Sequence, residues 1–238
     1  FENEFIPSID DLEKLVDENT KAILYNFPSN PTGAMLTIEQ RDTLLAFAKK
    51  HNLWIITDEV YDRIIYEGEH ISFIGTDYDR VLLINSFSKT FAMTGWRIGY
   101  VLSPNLAAME QVIKLQYYLA ACSNDGMQYA VLAAFEHASE YPNEMALEFK
   151  ERRDLICDRL NKMPGVSCHI PKGAFYVFPK VSVEGMNSEE FSESLKYSAG
   201  DFVGKINRDK IHSTIEEVKC LKQCVKNYDS HHKLDTIG

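Results

Sequence analysis

Apolar positions in the first half of the chain fall into short continuous blocks separated by stretches with helical spacing. Leu12, Leu15 and Val16 follow Ser8-Ile-Asp-Asp11, so a short amphipathic helix is predicted there, with Ser8 as cap and Asp11 in the capping-carboxylate position. Ala22-Ile-Leu-Tyr25 then reads as a strand, stopped by the turn-rich Pro28-Ser-Asn-Pro-Thr-Gly33. Thr37-Ile-Glu-Gln40 is a second capping signal, and Leu44, Leu45, Phe47 and Ala48 lie on one helical face behind it. Leu53-Trp-Ile-Ile-Thr57 predicts a buried strand ending at Asp58, and Val81-Leu-Leu-Ile84 another ending at Asn85-Ser-Phe-Ser-Lys89. Nearly continuous apolar strands alternating with helices predict an α/β fold, with a mostly parallel sheet and helices on both faces.

The pattern changes after Pro104. Helices are predicted near 105–121, 124–139 and 142–162, the last with Pro142 in a first-turn position. Val166-Ser-Cys-His-Ile170 and Ala174-Phe-Tyr-Val-Phe178 read as two strands around Pro171-Lys-Gly173, the aromatics of the second alternating in burial. A helix over 188–198 and a last one near 209–227, carrying Ile211, Ile215, Val218, Leu221 and Val225, complete a smaller α+β region. The predicted division is a large α/β domain over 1–145 and a small α+β domain over 146–238.

The 238 residues are 45% hydrophobic, enough for a real core. Twenty-five Lys and Arg stand against 35 Asp and Glu, a net charge of -10. No basic face for nucleic-acid phosphates or an anionic membrane is visible. The strongest apolar run, Val81–Ile84, is four residues long, far short of the roughly 20 needed to span a bilayer. Phe1-Glu-Asn-Glu-Phe5 is acidic and has no signal-peptide pattern. Five scattered cysteines (Cys122, Cys157, Cys168, Cys220 and Cys224) fit free thiols in a reducing compartment, so a cytoplasmic location is expected. Cys220 and Cys224 are one helical turn apart with His231 and His232 downstream. A core-facing helix and a frayed polar tail account for these residues better than zinc does, so no metal is expected.

Candidate chemistry gathers where strands end. Asn30, Asp58 and Lys89 each follow a predicted strand, and in an open parallel sheet ligands bind beyond the carboxyl ends of the strands. A lysine in a protein-lined pocket can become a nucleophilic amine able to form a Schiff base with an aldehyde. A buried aspartate calls for a cationic partner. Tyr61, three residues past Asp58, can turn its hydroxyl to the same place. Arg97 offers a fork for a phosphate dianion, with Ser86 adding a hydroxyl and Ser88 a further one. Taken together these groups describe a pyridoxal 5'-phosphate site. Read singly, each has an ordinary alternative: a surface lysine, a helix cap, a packed tyrosine, a structural serine. Glu59 and Asp62 are expected on a solvated turn, and His51, His70, His137, His169 and His212 are expected to be structural.

Ser86-Phe-Ser-Lys-Thr-Phe-Ala-Met-Thr-Gly-Trp-Arg-Ile-Gly99 resembles the cofactor-lysine signature of class I aminotransferases, the aspartate-aminotransferase group of fold type I. Asn30-Pro-Thr-Gly33, Asp58-Glu-Val-Tyr61 and Pro171-Lys-Gly-Ala-Phe-Tyr-Val-Phe178 resemble three further motifs of that family, in order. The resemblance covers about residues 1–198. It implies a pyridoxal-phosphate-dependent enzyme moving an amino group between an amino acid and a 2-oxo acid, working as a homodimer. It implies that Lys89 holds the cofactor and moves the proton at Cα, and that Asp58 keeps the ring nitrogen protonated. Tyr61 and Asn30 would bind the ring's phenolic oxygen, Asn30 also the substrate carboxylate, and Ser86 and Arg97 the phosphate. Gly95 and Gly99 would allow tight turns around that clamp.

Two departures from the family pattern stand out. The front part that normally supplies a helix N-terminus for the phosphate, a stacked aromatic ring and residues across a dimer interface is not represented in the sequence. After Ser198, Ala199-Gly-Asp-Phe-Val-Gly-Lys-Ile-Asn-Arg208 replaces the loop that normally carries the substrate-carboxylate arginine, leaving Arg208 as the only arginine of that tail. Other fold type I chemistry, such as carbon–sulfur lysis, and a non-catalytic remnant of the fold therefore stand as alternatives.

Overall fold

The structure, a computed structural model, describes residues 3–182, 185 and 187–192. The chain divides into two compact units, one of Phe1–Phe149 with Pro171–Tyr176 and one of Lys150–Ile170 with Val177–Gly238.

The first unit is built on a four-stranded sheet in the order β1 (Ala22–Asn26), β2 (Trp54–Asp58), β3 (Val81–Ser86), β4 (Gly99–Leu102). The first three strands are parallel and the fourth pairs antiparallel with β3. Helix α1 (Ile9–Leu15) precedes the sheet and α2 (Ile38–Lys50) crosses from β1 to β2. The Thr37 capping box on α2 forms in full: Thr37 Oγ1 accepts from Gln40 N, and the Gln40 side chain accepts from Thr37 N. Ser8 occupies the cap of α1, but its side chain makes no capping bond.

Strand parity sorts the sheet's residues. Tyr25, Ile55, Val81 and Leu83 are buried on one face. Tyr25, Ile55 and Val81 share a core cluster with Leu44, Leu45, Phe47 and Ala48 of α2 and with Phe73. The alternate positions, Leu24 with Asn26, Ile56 with Asp58, and Ile84 with Ser86, form the other face. That face ends in three polar residues at the carboxyl edge. It also carries the exposed Leu24 and Ile84. Beyond β3 come α3 (Phe87–Thr90), a 3-10 turn (Thr94–Trp96), β4, α4 (Leu106–Ala120) and α5 (Asp125–His137). Asn105 and Asn124 cap the last two helices through their side chains.

Helix α6 (Tyr141–Asn161) contains the division between the units. In the second unit β5 (Val166–Cys168) pairs antiparallel with β6 (Pro179–Val181). Its described core is Cys157, Leu160, Met163 and Cys168, with Ile156, Val166 and Val177 against them.

The predicted strand 174–178 does not form. Lys172 N and Gly173 N both donate to Gly33 O, and Ala174 N donates to Ile64 O. These bonds hold Pro171–Tyr176 in the first unit, so the pairing partner of β5 starts only at Pro179. The two units thus differ from a division at 145/146 in where this segment and residues 146–149 fall. Residues 188–192 are helical, with Asn187 Oδ1 accepting from Glu189 N and Glu190 N. The predicted helix 209–227, Arg208, Cys220, Cys224, His231 and His232 lie outside the described residues.

Candidate active site

The carboxyl edge of β1–β3 gathers most of the candidate residues. Asn26 and Asp58 are register partners, and the Asn26 amide donates to Asp58 O at 3.1 Å. Asn26 Oδ1 in turn accepts from Asn30 N at 2.6 Å, which fixes the start of the Asn30–Gly33 turn at the end of β1. The turn is closed by Gly33, at φ +68°, where an added Cβ would run into Pro171 and lie 2.8 Å from Gly173 O. Only glycine fits there. The same packing brings Phe175 and Tyr176 alongside.

Tyr176 is the residue sequence reasoning missed. Its hydroxyl lies 2.6 Å from Tyr61 Oη and accepts from Asn30 Nδ2 at 3.2 Å. Two hydroxyls and an amide from three distant segments thus converge. Burial, followed by the bond to Tyr176, pushes the Tyr61 phenol well above its ordinary value of 10.0. The Tyr61 ring packs edge-on against Phe175 and Tyr176. By pattern the aromatic run is an alternating strand; a period of two over five residues gives no hint that its tyrosine meets Asn30.

Lys89 sits in α3, immediately after β3. Its Nζ lies 5.1 Å from the Phe175 ring centre and 5.9 Å from that of Tyr61. Among the described residues no carboxylate pairs with it. The amine is thus held against aromatic faces, beside the hydroxyl cluster and open to a new covalent partner.

Asp58 is half-buried and accepts from Val60 N at 3.2 Å. No cation pairs with it among the described residues. Burial raises its carboxyl above 3.8, and the neighbouring Glu59 charge adds to the rise. A carboxylate in that state binds a cationic N–H well. Lys89, Asp58 and the Asn30–Tyr61–Tyr176 cluster therefore fit an aldehyde, a pyridinium nitrogen and a phenolic oxygen.

Ser86, Ser88 and Arg97, at the carboxyl end of β3 beside Lys89, lie on the wall of a cavity of about 690 Å³ that Tyr100, Met109, Val112 and Tyr117 also line. Ser86 precedes α3 without a side-chain capping bond. Arg97 is exposed, in a left-handed conformation at φ 54°, and its guanidinium donates to Thr94 O at 2.9 Å. Gly99 is required for close approach: a Cβ would lie 2.6 Å from Asn85 O and 3.0 Å from Ser86 Cβ. Gly95 lies in the 3-10 turn, but with open space around it and no positive φ, that turn does not require glycine.

Glu59 overturns the solvated-turn reading. It is buried, and its carboxylate takes Thr57 Oγ1, Ser72 Oγ, Phe73 N and His70 Nε2, the last at 2.6 Å. Asp62 is also drawn inward, with Oδ1 buried and unpartnered. Burial raises its carboxyl above 3.8. Three of the four Glu59 contacts come from residues 70–73, which no local pattern assigns to the turn after β2.

A mostly parallel α/β sheet with a lysine, an aspartate, serines and an arginine around its carboxyl edge defines the pyridoxal-phosphate-transferase class of fold. The comparisons agree. Residues 1–217 match the family model described as aminotransferase class I and II, and the chain belongs to that family. It is 43% identical over 197 residues to an aromatic-amino-acid aminotransferase 2 of Thermococcus litoralis, covering 81% of this chain and 50% of that one. It is 42% identical over 203 residues to an aspartate aminotransferase of Pyrococcus abyssi, covering 83% and 52%. The crystal structure of an aromatic aminotransferase from Pyrococcus horikoshii superposes with a TM-score of 0.87 at 36% identity, covering 96% of this chain and 66% of that chain. The chain spans about half the length of the curated relatives it matches.

Proposed function

We propose that this chain carries the lysine half of a pyridoxal-phosphate-dependent aminotransferase site, transferring an amino group between an amino acid and a 2-oxo acid. The observation that carries the proposal is the Lys89 amine, held over Phe175 and Tyr61 beside the Asn30–Tyr61–Tyr176 cluster. The cofactor, when bound, supplies an aldehyde and an electron-withdrawing ring. Every other role falls to the chain's own residues. Lys89 would hold the aldehyde through its amine and would move the proton at substrate Cα. Asp58 holds a proton on the ring nitrogen, each pKa unit of that hold being worth about 1.4 kcal/mol. Tyr61 and Asn30 donate to the phenolic oxygen, with Asn30 also reaching the substrate carboxylate. Ser86, Ser88 and Arg97 bind the phosphate, Arg97 exchanging its bond to Thr94 O for the anion.

The large side chains exposed along α4 and α5, among them Leu115, Tyr118, Leu119, Leu132 and Phe135, support a homodimer. Among the described residues no helix is long and apolar enough to cross a membrane. The free, scattered thiols support a cytoplasmic site of action.

The test is direct. Cofactor added to the purified chain should raise a visible absorption band, and borohydride should then fix a pyridoxyl group on the peptide containing Lys89. Labelling of a Lys89→Ala chain to the same extent would overturn the site. Labelling without amino transfer to any 2-oxo acid would leave a cofactor-binding chain of other chemistry.

A further inference from the structure

The second unit holds two sulfurs that the proposed reaction does not use. Cys157 on α6 and Cys168 on β5 are both buried, with Sγ atoms 4.0 Å apart. The elements that carry them are already tied together. Asn161 Oδ1 accepts from Cys168 N at 2.7 Å, and Asn161 Nδ2 donates to Cys168 O at 3.0 Å. A disulfide brings sulfurs to about 2.05 Å, so closure requires a movement of about 2 Å, within reach of side-chain rotation and a small backbone shift. Cysteines make up two of the four buried residues in this unit's described core. A covalent tie across so small a core has a large structural effect.

We propose that Cys157 and Cys168 form a reversible oxidation site that takes a hydroperoxide as co-reactant and closes a disulfide within the second unit. The two sulfurs are not equivalent. The Cys157 sulfur, 4.0 Å away, and the Phe178 backbone N–H both act on the Cys168 sulfur, so Cys168 loses its proton more easily than an ordinary thiol. The same sulfur–sulfur contact, with burial, pushes Cys157 the other way. Cys168 is therefore the attacking sulfur. Its thiolate attacks one peroxide oxygen; the O–O bond breaks, hydroxide leaves, and Cys168 becomes a sulfenic acid. The Cys157 sulfur then attacks Cys168 Sγ, the S–O bond breaks and the S–S bond forms. Water leaves with the Cys157 proton. Two thiols lose two electrons in all, and hydrogen peroxide is reduced to two waters.

The experiment uses the full chain under native conditions with hydrogen peroxide, followed by denaturation, alkylation and tryptic mapping. Cleavage after Arg153, Arg159, Lys162 and Lys172 separates the two cysteines into peptides 154–159 and 163–172. The expected product is these two peptides joined, two mass units below their sum and released by dithiothreitol. Cys122, exposed in the first unit, serves as the internal control and should not be joined to either. Oxidised chain should also unfold at higher urea concentration than reduced chain. In Cys157→Ser, Cys168 should stop at the sulfenic acid and be trapped by dimedone. Recovery of Cys157 and Cys168 as free thiols while Cys122 is oxidised would overturn the proposal, as would separate sulfinic acids at the two positions. If a serine variant fails to fold, the peptide map of the unaltered chain still decides the matter.

Discussion

Tyr61 and Tyr176, 115 residues apart, share a hydroxyl–hydroxyl bond of 2.6 Å, and Asn30 completes the contact from a third segment. This bond joins the turn after β2 to the 171–176 segment, which belongs to the same unit. Tyr176→Phe keeps the ring but removes both hydrogen bonds. The expected loss is about 1 kcal/mol in urea unfolding. The Tyr61 phenol should also titrate lower than in the unaltered chain, though still above 10.0, since burial is the larger cause of its rise. Ring-labelled tyrosine NMR reads that shift.

Gly33→Ala tests the closure of the turn that positions Asn30. The substitution meets a positive φ and the backbone of the 171–173 segment together. It should cost about 2 kcal/mol or more in unfolding experiments. Borohydride labelling of Lys89 should fall as well, because Asn30, Phe175 and Tyr176 shift with that segment.

How far the sequence alone revealed this site depended on the range of the forces involved. Lys89, Asp58 and Asn30 follow strands, and strands announce themselves through local apolar runs, so their edge position was legible. The Thr37 capping box was legible for the same reason: all its atoms lie within four residues. Tyr176 was not, because its placement depends on Gly33 O accepting from Lys172 N and Gly173 N across the sequence. Glu59 is hidden for the same reason, since a charged residue beside a turn carries the pattern of a solvated one. Its burial is offset by four donors, two of them from residues 72–73. The antiparallel turn of β4 was equally hidden, since Gly99–Leu102 carries no signal of direction.

Glu59 should be a structural anchor beneath the site. Glu59→Ala leaves His70, Thr57, Ser72 and Phe73 N without their acceptor, and a loss of about 3 kcal/mol or more is expected. Glu59→Gln keeps one acceptor oxygen and should lose about 1–3 kcal/mol. Urea unfolding of the two variants side by side gives the difference. Equal stability of both with the unaltered chain would mean that the carboxylate's four contacts contribute nothing net.

Asp58 and Asp62 make opposite predictions for folding and for cofactor. Burial is the main cause raising each carboxyl above its ordinary 3.8. Between the unfolded and the raised native value, the folded chain holds more protons than the unfolded one. Stability therefore falls as pH rises through that window and stays lower above it. Asp58→Asn and Asp62→Asn each remove one such contribution, so both variants should gain stability over the unaltered chain as pH rises, the gain levelling off above the native value. Their effects on cofactor should differ. Asp58→Asn replaces the anion proposed to face the ring nitrogen and should weaken binding by about 1.5–3 kcal/mol, the worth of a charged hydrogen bond. Asp62→Asn should leave binding nearly unchanged. Cofactor titrations at a fixed pH, paired with urea unfolding across pH, separate a carboxylate kept for the cofactor at the expense of stability from one that is merely buried. A gain in stability for Asp58→Asn with no loss of binding would remove Asp58 from the site.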